Sequence, residues 1–237
     1  MLSKDARAEP TDERLAPLKR KRDPAALLIN EVFTSIQGES SFAGLPCTFV
    51  RTTGCHLRCA YCDTAHAFHE GTERTIGSLL DEVSARGLPL VEVTGGEPLL
   101  QPSVHALLRG LCDAGRTVLL ETSGAVSTAG VDERVHVILD VKTPGSGEAA
   151  RNHHDNLARL VPGRDEVKLV LCDEVDYRFA RALIDARRVP PGVAVLLSAA
   201  QPLLSPAMLA EWMVRDRVDA RFQLQLHKVL WGERRGV

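Results

Sequence analysis

The sequence predicts an α/β domain with a parallel sheet and helices outside it, a parallel α/β barrel or part of one. Three observations carry this reading. From Asn30 onward, short β-branched runs alternate with helical stretches, the order that builds a parallel sheet. Several of these strands are nearly continuous apolar runs, as expected where both faces are covered. Polar and Gly-rich segments follow the strands with regularity, which is where such a fold collects its chemistry.

The elements follow in chain order. Residues 47–52 read as a strand that leads into Thr53-Gly54-Cys55. Residues 76–86 read as a helix, with Thr75 as its cap and Gly87 as its stop. Strand 90–94 precedes Gly95-Gly96-Glu97-Pro98, and helix 104–114 ends at Gly115. Strand 117–121 precedes Thr122-Ser123-Gly124, and strand 136–141 runs into Lys142-Thr143-Pro144-Gly145. A short helix over 152–160, a strand over 167–171 and a helix over 176–188 come next. Strand 193–197, helix 206–215 and a last strand over 222–226 complete the domain. Residues 1–27 are polar, charged and Pro-containing, and are expected to be a flexible tail ahead of a domain spanning 28–237.

Composition narrows the function classes. The 237 residues carry a formal net charge of −2, which argues against a broad nucleic-acid or membrane footprint. The run Lys19-Arg20-Lys21-Arg22 reads as a solvated part of the tail. No apolar run approaches the roughly 18 residues of a membrane span. The first residues lack the apolar core of a signal peptide, so a cytoplasmic location is expected.

Six cysteines are present, and three of them fall in Cys55-His56-Leu57-Arg58-Cys59-Ala60-Tyr61-Cys62. In a reducing compartment, closely spaced cysteines are metal-bound or catalytic more often than disulfide-paired. Three thiolates on one loop suit three irons of a 4Fe–4S cube and leave the fourth iron open. The alternative is zinc, which needs four tetrahedral ligands, with His56, His66 or His69 completing the set. Cys47, Cys112 and Cys172 lie in strand or helix patterns and read as small buried hydrophobes.

A CxxxCxxC segment with Tyr61 before its last cysteine, a strand before it and a GGEP loop after the next strand resembles the radical S-adenosylmethionine (SAM) superfamily. The resemblance implies a partial (β/α)6 TIM-type barrel. It also implies that SAM chelates the open iron and yields a 5′-deoxyadenosyl radical. SAM contacts are then expected from Tyr61, Gly95, Gly96 and Glu97, from Glu121 and Ser123, from Asp140 and Lys142, and from Ser198 and Gln201. Each has a plainer alternative: a tight turn at Gly95-Gly96, a helix cap at Ser123, a structural ion pair at Asp140 or Lys142.

The flanks resemble one family within it, the 7-carboxy-7-deazaguanine synthases. The motifs are Ile36-Gln37-Gly38-Glu39, Arg51 on the strand before the cluster, Asp63-Thr64 after it, Thr94-Gly95-Gly96-Glu97-Pro98-Leu99-Leu100-Gln101 and Gln225-Leu226-His227-Lys228. They span about residues 30–230. The resemblance implies conversion of 6-carboxy-5,6,7,8-tetrahydropterin to 7-carboxy-7-deazaguanine with loss of ammonia, in queuosine or deazapurine biosynthesis. It implies substrate contacts from Ile36, Gln37, Gly38, Glu39, Arg51, Thr94 and His227, a Mg2+ contact from Thr64, a flavodoxin-like electron donor and a homodimer. The side chains suit this: a pterin edge offers amide-like donors and acceptors, and an Arg forks onto a carboxylate. Plainer alternatives are a loop cap for Gln37 and Glu39, an ion pair of Arg51 with an acid such as Glu97, a turn role for Thr64 and a core role for His227. An activase that makes a glycyl radical on a partner protein shares the three-cysteine motif, and a zinc-binding interaction module is a non-enzymatic alternative. Val229 after His227-Lys228 and the extension past Gly232 depart from the family pattern, which leaves C-terminal substrate contacts open.

Overall fold

A computed structural model describes residues 13–19, 23–232 and 234–237. Its strands are β1 (Ala26–Ile36), β2 (Pro46–Thr52), β3 (Thr72–Thr75), β4 (Leu90–Gly95), β5 (Thr117–Thr122), β6 (His136–Asp140), β7 (Glu166–Leu171), β8 (Ala194–Ala199) and β9 (Arg221–Phe222). The α-helices are α1 (Ile76–Arg86), α2 (Val104–Asp113), α3 (Glu174–Asp185), α4 (Pro206–Asp216) and α5 (Leu226–Trp231). One sheet contains all these strands in the order β3-β1-β2-β4-β5-β6-β7-β8-β9. From β2 to β9 every pairing is parallel. The sheet does not close, because β3 stands at one edge and the two-residue β9 at the other. This is the partial barrel the sequence implied.

Local chemistry sets the helix ends. The Thr75 hydroxyl accepts a hydrogen bond from the Ser78 amide, and Gly87 turns left-handed at φ 73° to stop α1. The Asp173 carboxylate accepts from the Asp176 amide and starts α3 two residues before the expected position.

Four expectations are corrected. First, β1 and β3 were not anticipated. They pair antiparallel, β1 with β2 and β1 with β3, and polar Asn30, Glu31 and the Thr-Glu-Arg-Thr stretch hide their strand character. Second, 152–160 is not an α-helix but a 3-10 turn at His154–Arg159. There the Asn156 side chain donates to the carbonyls of Gly124 and Val126 and accepts from the Thr128 amide, and such bonds compete with helix formation. Third, the last strand stops at Phe222, because the Gln223 amide side chain turns to the carbonyls of Gly38 and Leu224. Fourth, α5 was not anticipated; it begins at Leu226, the last residue of the expected strand.

Of the segment expected to be a tail, residues 1–12 and 20–22, and with them most of the basic run, lie outside the described residues. Arg14 within it bonds the domain, and β1 begins at Ala26, ahead of the expected boundary. No helix among the described residues is long and apolar enough to cross a membrane.

The period-two alternation of each strand divides its side chains between two environments. One set packs under the helices: Val91, Val93, Val118 and Leu120 lie with Leu107 and Leu111 of α2, while Val167, Leu169 and Leu171 lie with Tyr177 and Ala180 of α3. The other set faces inward. Cys47 is fully buried, Cys172 is buried and Cys112 is half-buried.

Candidate active site

The inward positions build the site. Glu31 on β1, Arg51 on β2, Glu92 and Thr94 on β4, Glu121 on β5, Asp140 on β6 and Lys168 on β7 all line one cavity of about 250 Å³. Cys55, Cys59 and Cys62 line the same cavity from the loop after β2, and Gln225, His227 and Lys228 from α5 and its approach. Six strands, the cysteine loop and α5 with its approach therefore bring unlike charges to one space.

The cysteine loop is held in place by glycines behind it. Gly95 has φ 143°, and a Cβ there would overlap the Thr52 backbone. A Cβ on Gly96 would overlap the Gly54 carbonyl and stand 3.0 Å from the Cys55 Cβ. The β4 loop thus approaches the cysteine loop at a distance only glycine permits. Burial pushes the Cys55 thiol up to about 12 and the Cys59 thiol up to about 11, and raises Cys62 as well. Without a positive centre these thiols hold their protons. Among the described residues no three His, Cys, Asp or Glu side chains converge on a single-ion site, as a tetrahedral zinc would require.

Next to the cysteines lies a polar wall. The Lys142 ammonium is 2.9 Å from Asp140 and 5.9 Å from the centre of the Tyr61 ring. Burial works against the Lys142 charge, but Asp140 and the neighbouring acidic groups overcome it and hold its pKa well above the ordinary value. Tyr61 Oη and Asp140 Oδ1 on this wall, and Ser35 Oγ elsewhere in the lining, are buried with no hydrogen-bond partner. Buried polar atoms of that kind mark a place for a polar ligand.

Deeper in, Lys168 is the hub. It pairs with Glu39 at 2.5 Å, with Glu121, and with Asp140 at 3.6 Å. Glu121 also accepts from the Thr94 hydroxyl at 3.0 Å. Burial opposes ionisation of Glu121, but Lys168 and Thr94 bring its pKa down to about 2. The Glu39 carboxylate further accepts from the Gln225 amide. His227 stands 3.9 Å from it.

Most residues singled out from the sequence meet here. Ile36, Gln37, Gly38, Glu39, Arg51, Tyr61, Thr64, Thr94, Gly95, Gly96, Glu121, Ser123, Asp140, Lys142, Gln201 and His227 all line the cavity with the three cysteines. Two do not. Ser198 is buried away from the wall. Glu97 is fully buried, and its carboxylate accepts from the amides of Leu99 and Ser123 and from the hydroxyls of Thr122 and Ser123. It ties the loop after β4 to the loop after β5 and has no face toward the cavity. Arg51 is indeed ion-paired, with Glu31 at 2.8 Å rather than with Glu97. Gln37 spends both ends of its amide inside the protein, donating to Glu92 at 3.0 Å and accepting from the amides of Glu39 and Ser40. Thr64 donates to Asp63, which is paired with Lys228 at 2.8 Å.

Sequence reasoning missed Glu31, Glu92 and Lys168. The signal available was a charged residue inside an otherwise apolar strand, Lys168 in Val167-Lys168-Leu169 most plainly. The C-terminal Arg235, Gly236 and Val237 also reach the cavity lining.

Comparisons with known proteins agree with this geometry. Residues 49–144 match the model of the Radical SAM superfamily. The chain is 48% identical over 216 residues to the 7-carboxy-7-deazaguanine synthase of Chlorobaculum tepidum, covering 90% of this chain and 98% of the relative. It is 40% identical over 219 residues to the enzyme of the same name from Koribacter versatilis, covering 86% and 96% of the two chains. The crystal structure of QueE from Escherichia coli has the same fold, with a TM-score of 0.70 at 22% identity over 84% of this chain and 94% of that one.

Proposed function

The chain belongs to the 7-carboxy-7-deazaguanine synthase family of radical SAM enzymes, and from that premise we infer that it converts 6-carboxy-5,6,7,8-tetrahydropterin to 7-carboxy-7-deazaguanine with loss of ammonia, in queuosine and 7-deazapurine biosynthesis. The observation that carries the reading is the single cavity that joins the three cysteines to a charged wall fit for a carboxylated heterocycle. The family's 4Fe–4S cluster and SAM, when bound, supply the radical that removes a hydrogen from the substrate. The residues present fit both groups: three thiols line one end of the cavity, and Tyr61 Oη and Asp140 Oδ1 are unpartnered beside them.

We assign the residues as follows. Cys55, Cys59 and Cys62 hold the cluster. The Gly95-Gly96 backbone, Tyr61, Glu121, Asp140 and Lys142 receive SAM, with Ser123 and Gln201 at the margin. Glu97 positions the two loops and touches no ligand. Arg51 binds the substrate carboxylate in exchange for part of its pairing with Glu31. Glu39, Thr94 and His227 meet the pterin edge, and Lys168, paired with both Glu39 and Glu121, orients them for it. Gln37 shapes the loop that presents Gly38 and Glu39.

The finer proposals rest on family resemblance. Mg2+ is bound through Thr64 and substrate oxygens, a hard cation that takes few protein ligands, with Asp63 close by. The enzyme works as a cytoplasmic homodimer with a flavodoxin-like electron donor.

The test is an anaerobic assay of reconstituted protein with SAM, reductant, Mg2+ and the carboxytetrahydropterin, read by mass spectrometry. The deazaguanine product is expected. Formation of 5′-deoxyadenosine alone would keep the radical SAM core and overturn the substrate assignment.

A further inference from the structure

The loop that carries Cys55, Cys59 and Cys62 has an inner face toward the cavity and an outer face toward the N-terminal segment. On the outer face, two contacts flank Cys55. Leu18 lies against the residue before it: a Cβ on Gly54 would stand 2.8 Å from the Leu18 Cγ and Cδ1. Gly54 has φ 96°, a second reason why only glycine serves there. Arg14 reaches the residue after it, donating from Nη1 to the His56 carbonyl at 3.1 Å.

The same Arg14 nitrogen donates to Glu148 Oε1 at 3.2 Å. That oxygen also accepts from the Arg58 amide at 2.7 Å, one residue before Cys59. The Ala60 amide, one residue after Cys59, donates to the Ser146 carbonyl at 3.0 Å. The cysteine loop is thus pinned from outside at Gly54, His56, Arg58 and Ala60. Two of these four pins come from residues 13–18, and a third uses the oxygen that Arg14 engages. The segment is short: a single 3-10 turn, Ala16–Leu18, separates Arg14 from the chain that follows. Its Arg14 and Leu18 are half-buried while Glu13, Ala16 and Lys19 are exposed.

We propose that residues 13–18 brace the cluster-bearing loop, with Arg14 as a positioning residue that acts on Cys55 and Cys59 through the His56 carbonyl and Glu148. Nothing in the brace touches the cavity, so it affects how well the loop keeps its shape rather than which ligand is bound. The inference rests on the cluster assignment only for its second readout, and the first is independent of it.

The first readout is hydrogen exchange of the 54–62 amides in cluster-free full-length protein. Arg14→Ala is expected to speed exchange there and leave β7 and β8 unchanged, with Arg14→Lys intermediate. Unchanged exchange over 54–62 would overturn the brace whatever the loop binds. The second readout is the rate at which an iron chelator bleaches the reconstituted holoprotein. Arg14→Ala is expected to lose its cluster about fivefold faster, the scale of a half-exposed ion pair. Arg134→Ala removes an exposed ion pair with Asp113 and Asp132 elsewhere and should bleach at the wild-type rate. Combining Arg14→Ala with Glu148→Gln should add little to the faster single variant, because both remove one contact. Fully additive rates would separate Arg14 from Glu148 and refute the mechanism.

Discussion

Glu92 keeps a proton that exposed glutamates have lost at neutral pH. Burial, and then the nearby Glu121 charge, push its pKa up to about 8, against the opposing hydrogen bond from Gln37. Between the ordinary carboxylate range and about 8 the folded chain holds this proton and the unfolded chain does not. This contribution to stability is therefore full below the ordinary carboxylate range and is lost progressively as pH rises through that window, by at most about 1.4 kcal/mol per pH unit. Glu92→Gln is expected to keep the acceptor for Gln37 and flatten the decline, measured as the denaturant midpoint from pH 5 to pH 8 (about one proton's slope). Lys168 works in the opposite sense. Its removal as Lys168→Met leaves the half-buried Glu39 and Glu121 without their cation, and should cost up to about 3 kcal/mol in chemical denaturation. Arg51→Ala should weaken substrate binding by about 1.5–3 kcal/mol in titration calorimetry, with the cluster still assembled. Cys59→Ala should abolish SAM cleavage.

At the scale of elements, the loops after β4 and β5 are held as one unit by Glu97. Four donors end on its carboxylate, all buried. Glu97→Ala strands them, and should cost at least about 3 kcal/mol with a matching fall in the unfolding midpoint. The same scale separates what was legible in the sequence from what was not. Helices α1 and α4 and the interior strands could be read, because caps, stops and apolar runs are local signals. So could the cysteine loop and the Gly95-Gly96 turn, whose residue types have few other uses. The antiparallel β1 and β3 could not, since their polar residues face the cavity or solvent and imitate a loop. The turn at His154–Arg159 could not, because Asn156 is satisfied by backbone 28–32 residues away in sequence. Lys168 and Glu92 stood out as charges within apolar strands, but their partners could not be read, because Glu39, Glu121 and Gln37 come from other strands and loops. Glu97 left the site for a related reason: its donors come from the neighbouring strand's loop.

Across the whole molecule, one wall of the cavity is supplied by the end of the chain. The Leu226 amide donates to the Gly38 carbonyl at 3.2 Å, Gln225 reaches Glu39, and Lys228 meets Asp63 beside the cysteines. These contacts join α5 to the loop after β1 and to the loop after β2. Lys228 is one-fifth exposed and Asp63 about one-third, so the bridge is worth no more than about 1 kcal/mol. Lys228→Met should raise the Michaelis constant by no more than about fivefold. High salt should reproduce much of that change in the wild type and little of it in the variant.

Strand order from β2 to β9 follows chain order, with each parallel strand added beside the one before it. Such a sheet can grow vectorially as the chain leaves the ribosome, each new strand finding its edge already formed. The cysteine loop follows β2 and so belongs to the earliest part of that growth. His227 and Lys228 arrive last. On that order the cysteines stand at an open trough until α5 and the segment leading into it add the wall that carries Gln225, His227 and Lys228.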